Sequence, residues 1–247
     1  MDYSVLNKKN SFITGATGGL GEQISIQLAQ KNCNLFLTST NKKKLEILKE
    51  KLSSINDKIT IHTKTADLSN LDDIKKLVKE SRKVFSNIDI LVNCAGILPI
   101  KFLYESTLED FENCFNINIK APFILTKEFS KDMKKNRWGR IINIASSGAY
   151  NGQKKTLIYR ATKHALLGFS KAIHKELRDY NVRTFCISPG PIKTRIGRTI
   201  VHKLNKEEKY ETFANPKEIA EFIIHLISFN NELFAEEIRL QRIIGEK

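Results

Sequence analysis

Cysteine is scarce in this chain of 247 residues, and the four present (Cys33, Cys94, Cys114 and Cys186) are scattered with no close pair. That spacing excludes a disulfide framework and a cysteine zinc site, and it points to a reducing cytoplasm. The five histidines form no metal-spaced pair with an acid. No apolar run approaches the roughly 18 residues of a membrane span. No signal peptide is expected: Lys8 and Lys9 precede a short strand-like run instead of a long apolar region. Acids are also short, 27 against 41 Lys and Arg, for a formal charge of +14. The lysines are dispersed, without the aromatic interleaving of a single-strand binder, so a basic solvated surface is favoured over a nucleic-acid site. No internal repeat, low-complexity tract or linker divides the sequence, and one domain over 1–247 is expected.

What is present is a regular alternation. Strand-like stretches at 11–14, 34–38, 58–64, 88–93, 139–145, 182–188 and 237–240 alternate with helical ones at 21–30, 42–52, 72–85, 108–135, 159–178 and 216–228. Strands apolar on both faces belong inside a parallel sheet, and this alternation predicts an α/β fold: a doubly wound parallel sheet of the Rossmann type, with helices on both faces. A polar, basic stretch at about 193–215 stands apart as a candidate substrate lid. It carries Lys193, Arg195, Arg198, His202, Lys203, Lys206 and Lys209, which suit either an anionic substrate or a solvated loop.

The chemistry sits in three places. Tyr159 and Lys163 lie four apart at the start of a helical pattern, hence on one face. A phenol is a poor acid near neutral pH, and a nearby ammonium is expected to lower its pKa. A hydroxyl such as that of Ser146 completes a device for moving a proton at a carbonyl oxygen. A second match, Tyr150 and Lys154, contains Gly152 and reads as loop. After the first strand comes Thr14, Gly15, Ala16, Thr17, Gly18, Gly19, Leu20 and Gly21, a glycine turn leading into a helix. There, backbone amides can approach a pyrophosphate. At the end of the second strand, Thr38, Ser39, Thr40, Asn41, Lys42, Lys43 and Lys44 include no acid to hold ribose hydroxyls. Hydroxyls and lysines favour NADP over NAD.

Together these residues resemble the short-chain dehydrogenase/reductase family, in order and spacing, from about residue 10 to 228. The resemblance implies that Gly15, Thr17, Gly18, Gly19, Leu20, Gly21, Ser39 and Thr40 bind the cofactor. It also implies that Asp67 and Leu68 contact the adenine. Asn93, Ala95 and Gly96 match a motif lining the cofactor, with Cys94 in place of an asparagine. Pro189, Gly190, Ile192 and Thr194 resemble the loop that holds the nicotinamide carboxamide. By the same resemblance Tyr159 exchanges a proton with the substrate oxygen. Lys163 tunes Tyr159 and binds the ribose, Ser146 bonds the carbonyl, and Asn118 holds a relay water.

The implied activity is NADP-dependent reduction of a ketone or aldehyde, with a homotetramer or homodimer as the assembly. Alternatives are a 3-oxoacyl-carrier-protein reductase, a sugar or hydroxy-acid dehydrogenase, and a non-catalytic dinucleotide-binding scaffold. The C-terminus lacks the glycine pair common among the 3-oxoacyl reductases, which weighs against the first of these.

Overall fold

A computed structural model describes residues 3–204 and 210–243. Its seven strands are β1 (Asn10–Thr14), β2 (Asn34–Ser39), β3 (Ile61–Thr65), β4 (Ile90–Asn93), β5 (Gly139–Ile144), β6 (Val182–Pro189) and β7 (Glu237–Leu240). They form one sheet in the order β3-β2-β1-β4-β5-β6-β7, and every pairing is parallel. The chain therefore winds outward from β1 in one direction and from β4 in the other. Ligands of such sheets bind beyond the strand C-termini at this reversal.

Strand residues alternate between two cores. Ile13 of β1 packs with Leu20, Ile24 and Leu28 of α1 (Gly19–Gln30), with Leu45, Leu48 and Leu52 of α2 (Lys42–Ile55), and with Ile219, Ile223 and Ile227 of the helix Pro216–Ser228. Phe12, one residue earlier, faces the other layer. It stacks on Phe36 and tilts against Phe129, each at 5.0 Å between ring centres. That layer holds α3 (Leu71–Val84), α4 (Leu108–Phe115), α5 (Ala121–Asn136) and α6 (Leu157–Leu177). Burial on both faces is why these strands read as apolar runs.

Two expectations are corrected. The stretch expected as one helix over 108–135 is α4 and α5 joined by a π-helical turn, Asn116–Lys120. The wide turn admits the Asn118 carboxamide to a tertiary bond, the situation in which π-turns arise. The basic stretch after β6 contains a helix, α7 (Arg195–Lys203), followed by α8 (Pro216–Ser228). Thr194 caps α7 by accepting from the Gly197 N–H. Ile196, Ile200 and Leu204 of this segment line the cleft beneath it, while Arg198, His202 and Lys203 face solvent. Lys206 and Lys209 of the expected lid lie outside the described residues. Among the described residues no helix is long and apolar enough to cross a membrane.

One buried cation ties the layers at the end away from the strand C-termini. Arg140 of β5 is fully buried and has no carboxylate partner among the described residues. Its guanidinium donates to the Ile227, Phe229 and Gly139 carbonyls and to the Asn230 side chain, at 2.9–3.2 Å. Two of those carbonyls belong to the C-terminal end of α8, where a cation is electrostatically favoured.

Candidate active site

The strand C-termini open onto a cleft of about 780 Å³. Its floor begins where β1 turns into α1. Gly15 has φ +64, and a Cβ there would stand 2.8 Å from Ala95 Cα, so only glycine fits. The turn is pinned from below: Thr14 Oγ1 accepts from the Cys94 and Ala95 amides at 3.0 and 3.1 Å. Thr17 and Ser39 share a 2.6 Å hydroxyl bond, which joins the glycine turn to the end of β2. α1 starts at Gly19, two residues before the sequence-predicted start, so the last glycines form its first turn. The amides at that end have no helical acceptor, and they border the cleft.

At the other end of the cleft stand the proton-handling groups. Tyr159 sits in the first turn of α6, beginning at Leu157, and Lys163 lies one turn later and 4 % exposed. Ser146 follows β5, with its Oγ accepting from the Gly148 amide at 3.0 Å. A Cβ at Gly148 would lie 3.4 Å from Ser146 Oγ, 3.6 Å from the Tyr159 ring and 3.5 Å from Arg160 Cγ. These three side chains thus surround one point. Likewise a Cβ at Gly96 would lie 3.4 Å from Asn118 Oδ1 and 3.6 Å from Lys163 Nζ. Strand ends, the π-turn and α6 bring the four residues of the expected catalytic set together.

The electrostatics differ from the simplest expectation. Lys163 Nζ donates to the Ile144 carbonyl at 2.8 Å and lies 5.5 Å from the centre of the Tyr159 ring. Burial pulls the lysine down to about 8, with no carboxylate nearby to oppose it. Burial also raises the Tyr159 phenol above its ordinary value, and the hydrogen bond from Ser146 opposes that only in part. In this state desolvation outweighs any help from the ammonium, because it favours the neutral forms of both groups.

Asn118 is 1 % exposed, and its carboxamide is engaged on both sides. Oδ1 accepts from the Ile97 amide at 3.0 Å, while Nδ2 donates to the Ile97 carbonyl at 3.1 Å and to Thr162 Oγ1 at 3.0 Å. It clamps the loop after β4 onto α6 and does not itself line the cleft.

Of the residues expected at the cofactor, Gly15, Thr17, Gly18, Gly19, Leu20, Gly21, Ser39, Thr40, Asp67, Leu68, Ala95 and Gly96 line the cleft. So do Pro189, Gly190, Ile192 and Thr194. Asn93 does not: it is buried in β4 and donates to Asn143 Oδ1 at 2.8 Å, across the sheet. The sequence reading left out Ile97, Gln153, Arg160 and the apolar side of α7, which also line it. The 196, 200, 204 spacing is the one signal that identifies that side of α7. Cys94 borders the cleft as well, and desolvation pushes its thiol up to about 12. Among the described residues no cluster of His, Cys, Asp or Glu could hold a metal.

This geometry agrees with comparison to known proteins. A family model described as short chain dehydrogenase matches residues 9–205. A 3-oxoacyl-[acyl-carrier-protein] reductase of Aquifex aeolicus is 30 % identical over 227 residues, covering 90 % of this chain and 91 % of that protein. Among solved structures, L-sorbose reductase from Gluconobacter frateurii, complexed with NADPH and L-sorbose, superposes with a TM-score of 0.88. It is 24 % identical and covers 97 % of each chain. An alcohol dehydrogenase from Thermococcus sibiricus, complexed with 5-hydroxy-NADP, gives 0.84 at 25 % identity over 97 % of this chain and 100 % of that one. The chain belongs to the short-chain dehydrogenase family and is accordingly an NAD(P)-dependent oxidoreductase.

Proposed function

We propose that this protein is an NADP-dependent reductase that converts a ketone or aldehyde to an alcohol. The observation that carries this reading is the meeting of Ser146, Tyr159 and Lys163 in one cleft with the glycine turn of β1. The residues present suit the cofactor. The first-turn amides of α1 and the Thr17 and Ser39 hydroxyls are donors, and Asp67 is the only acid lining the cleft among the described residues. Asp67 lies at the end of β3, with Oδ1 held by the Ser69 amide and hydroxyl at 2.8 Å. At the end of β2, where an acid would repel a 2′-phosphate, Ser39, Thr40 and Lys44 line the cleft. The two structural relatives described above carry NADPH and an NADP derivative, in keeping with this choice.

Lys44 is the one lysine of its run that borders the cleft, so it supplies the positive charge for that phosphate. Lys44→Glu is expected to weaken NADPH binding about tenfold or more while leaving NADH within about twofold, read by fluorescence titration. Equal loss for both nucleotides would place Lys44 outside the phosphate site.

When bound, the nicotinamide supplies the hydride, and the protein supplies position and protons. Ser146 Oγ donates to the substrate carbonyl oxygen, holding it beside Tyr159. Tyr159, kept protonated by its burial, delivers the proton to that oxygen as the alcohol forms. Lys163 holds positive charge beneath the phenol, which stabilises the tyrosinate left behind. Asn118 acts as a positioning residue through its grip on Ile97. The relay water expected at Asn118 would need the second lone pair of Oδ1. Ile97, Ile196, Ile200 and Leu204 supply apolar lining to the cleft.

The pH dependence follows in sign. Reduction needs Tyr159 protonated and Lys163 charged. The phenol is raised, so it stays protonated through neutrality. Lys163 loses its charge as pH rises through about 8. kcat/KM for reduction is therefore expected to be flat near neutrality and to fall above about pH 8. A profile still flat above about pH 9 would remove Lys163 from this role.

The direct test is oxidation of NADPH with a panel of ketones and aldehydes. A carrier-bound 3-oxoacyl substrate belongs in that panel, because the Aquifex relative favours this second reading. Turnover of neutral ketones without activity on the carrier-bound substrate would support the first reading over the second.

Assembly and location complete the proposal. Phe129 of α5 is core, whereas Phe111, Phe123 and Leu157 stand exposed on α4, α5 and α6. These side chains suit a homodimer or homotetramer, and light scattering is expected to give two or four times the chain mass. A monomer at micromolar concentration would overturn this expectation. The four free cysteines suit the cytoplasm.

A further inference from the structure

Arg160 sits inside the catalytic motif, between Tyr159 and Lys163, and no role has yet been given to it. Its stem lies against the same point as Ser146 Oγ and the Tyr159 ring. Its guanidinium is held by neutral acceptors only: Thr156 Oγ1 and the Asn151 carbonyl at 2.9 Å each, and the side chains of Asn151 and Gln153. No carboxylate pairs with it among the described residues. The first turn of α6 contains no acid either, and a cation placed there opposes the helix dipole. Asn151 and Gln153 are exposed, so a stronger acceptor can displace them at little cost. Arg160 and Gln153 also line a shallow depression that adjoins the cleft at its mouth. Of the basic residues of α7, Arg195 lines the cleft and Arg198, His202 and Lys203 do not.

We propose that Arg160 is a substrate-specificity residue that takes an anionic group, carboxylate or phosphate, carried a short spacer away from the carbonyl being reduced. This rests on the reductase reading and narrows its substrate class. A guanidinium fork satisfied only by neutral, solvent-exposed amides and a hydroxyl gains from exchanging them for an anion, because charge-assisted bonds are about twice as strong. The anion also relieves the uncompensated positive end of α6.

The test compares matched substrates with NADPH: an oxo-acid against its ethyl ester, and a hydroxyketone against its phosphate ester. The wild-type protein is expected to prefer the anionic partner of at least one pair by about tenfold or more in kcat/KM. Which pair shows the preference separates carboxylate from phosphate. Arg160→Gln is expected to cut the anionic-to-neutral ratio about 10- to 100-fold, mainly through KM, with Arg160→Lys between the two. Equal turnover of anionic and neutral partners by the wild-type protein overturns the proposal without any variant. Equal loss on both partners in Arg160→Gln also overturns it, making Arg160 a clamp for its loop. NADPH oxidation with none of the four substrates overturns the reductase reading together with this one.

Discussion

Tyr159→Phe is expected to lower kcat for carbonyl reduction by about 10²–10⁴-fold, the range of a lost general acid, while NADPH affinity stays within about twofold. The substitution removes one oxygen and keeps the ring that Lys163 Nζ approaches at 5.5 Å from its centre. Ser146 keeps its bond from the Gly148 amide, so the serine stays in place. What disappears is the group proposed to deliver the proton, while the Ser146 hydroxyl that would bond the substrate oxygen remains. The loss falls on kcat, because the proton moves only as the carbonyl is reduced. Steady-state kinetics together with nucleotide titration separate the possibilities. A variant retaining more than about a tenth of wild-type kcat would mean that solvent or another group supplies the proton.

Arg140→Met is expected to produce the largest change in stability, about 2 kcal/mol or more. The Ile227 and Gly139 carbonyls lose the guanidinium in a place where water does not reach Arg140, while the Phe229 carbonyl keeps a bond from Arg183 and the Asn230 side chain is exposed. Each buried polar group left without a partner costs about 1–3 kcal/mol. Methionine fills most of the space of the arginine stem, so the cavity contribution is small. At about 2–4 °C per kcal/mol for a chain of this size, the melting temperature falls by roughly 4 °C or more. Arg140 lies at the opposite end of β5 from Ser146, so the folded variant should retain nucleotide binding. A shift below about 2 °C would mean that the α8 end finds other donors.

The sequence and structure agree where local chemistry decides. Tyr159 and Lys163 were legible as a pair because four residues is one helical turn, and α6 provides that turn. The glycine turn was legible because Gly15 needs its positive φ whatever the rest of the chain does. The doubly wound parallel sheet was legible in the alternation and the apolar runs. The departures come from tertiary contacts. The π-turn exists because Asn118 reaches Ile97, twenty-one positions earlier, and periodicity does not record such a bond. α7 was hidden by its basic outer side, although Ile196, Ile200 and Leu204 repeat at four-residue spacing. Asn93 matched a motif, yet the pleat of β4 turns it to Asn143 and away from the cleft. The lowering of Tyr159 by Lys163 was argued from charge alone, and burial of both groups reverses the balance.

The central claim is that the cleft at the strand C-termini holds NADP(H) beside Tyr159. Titration of the purified protein with NADPH and with NADH, followed by nucleotide fluorescence, tests it most directly. The account predicts saturable binding of both, with NADPH at least about tenfold tighter, as expected for one charge-assisted phosphate contact. A preference for NADH would contradict the reading of Ser39, Thr40 and Lys44, and binding of neither nucleotide would contradict the account as a whole.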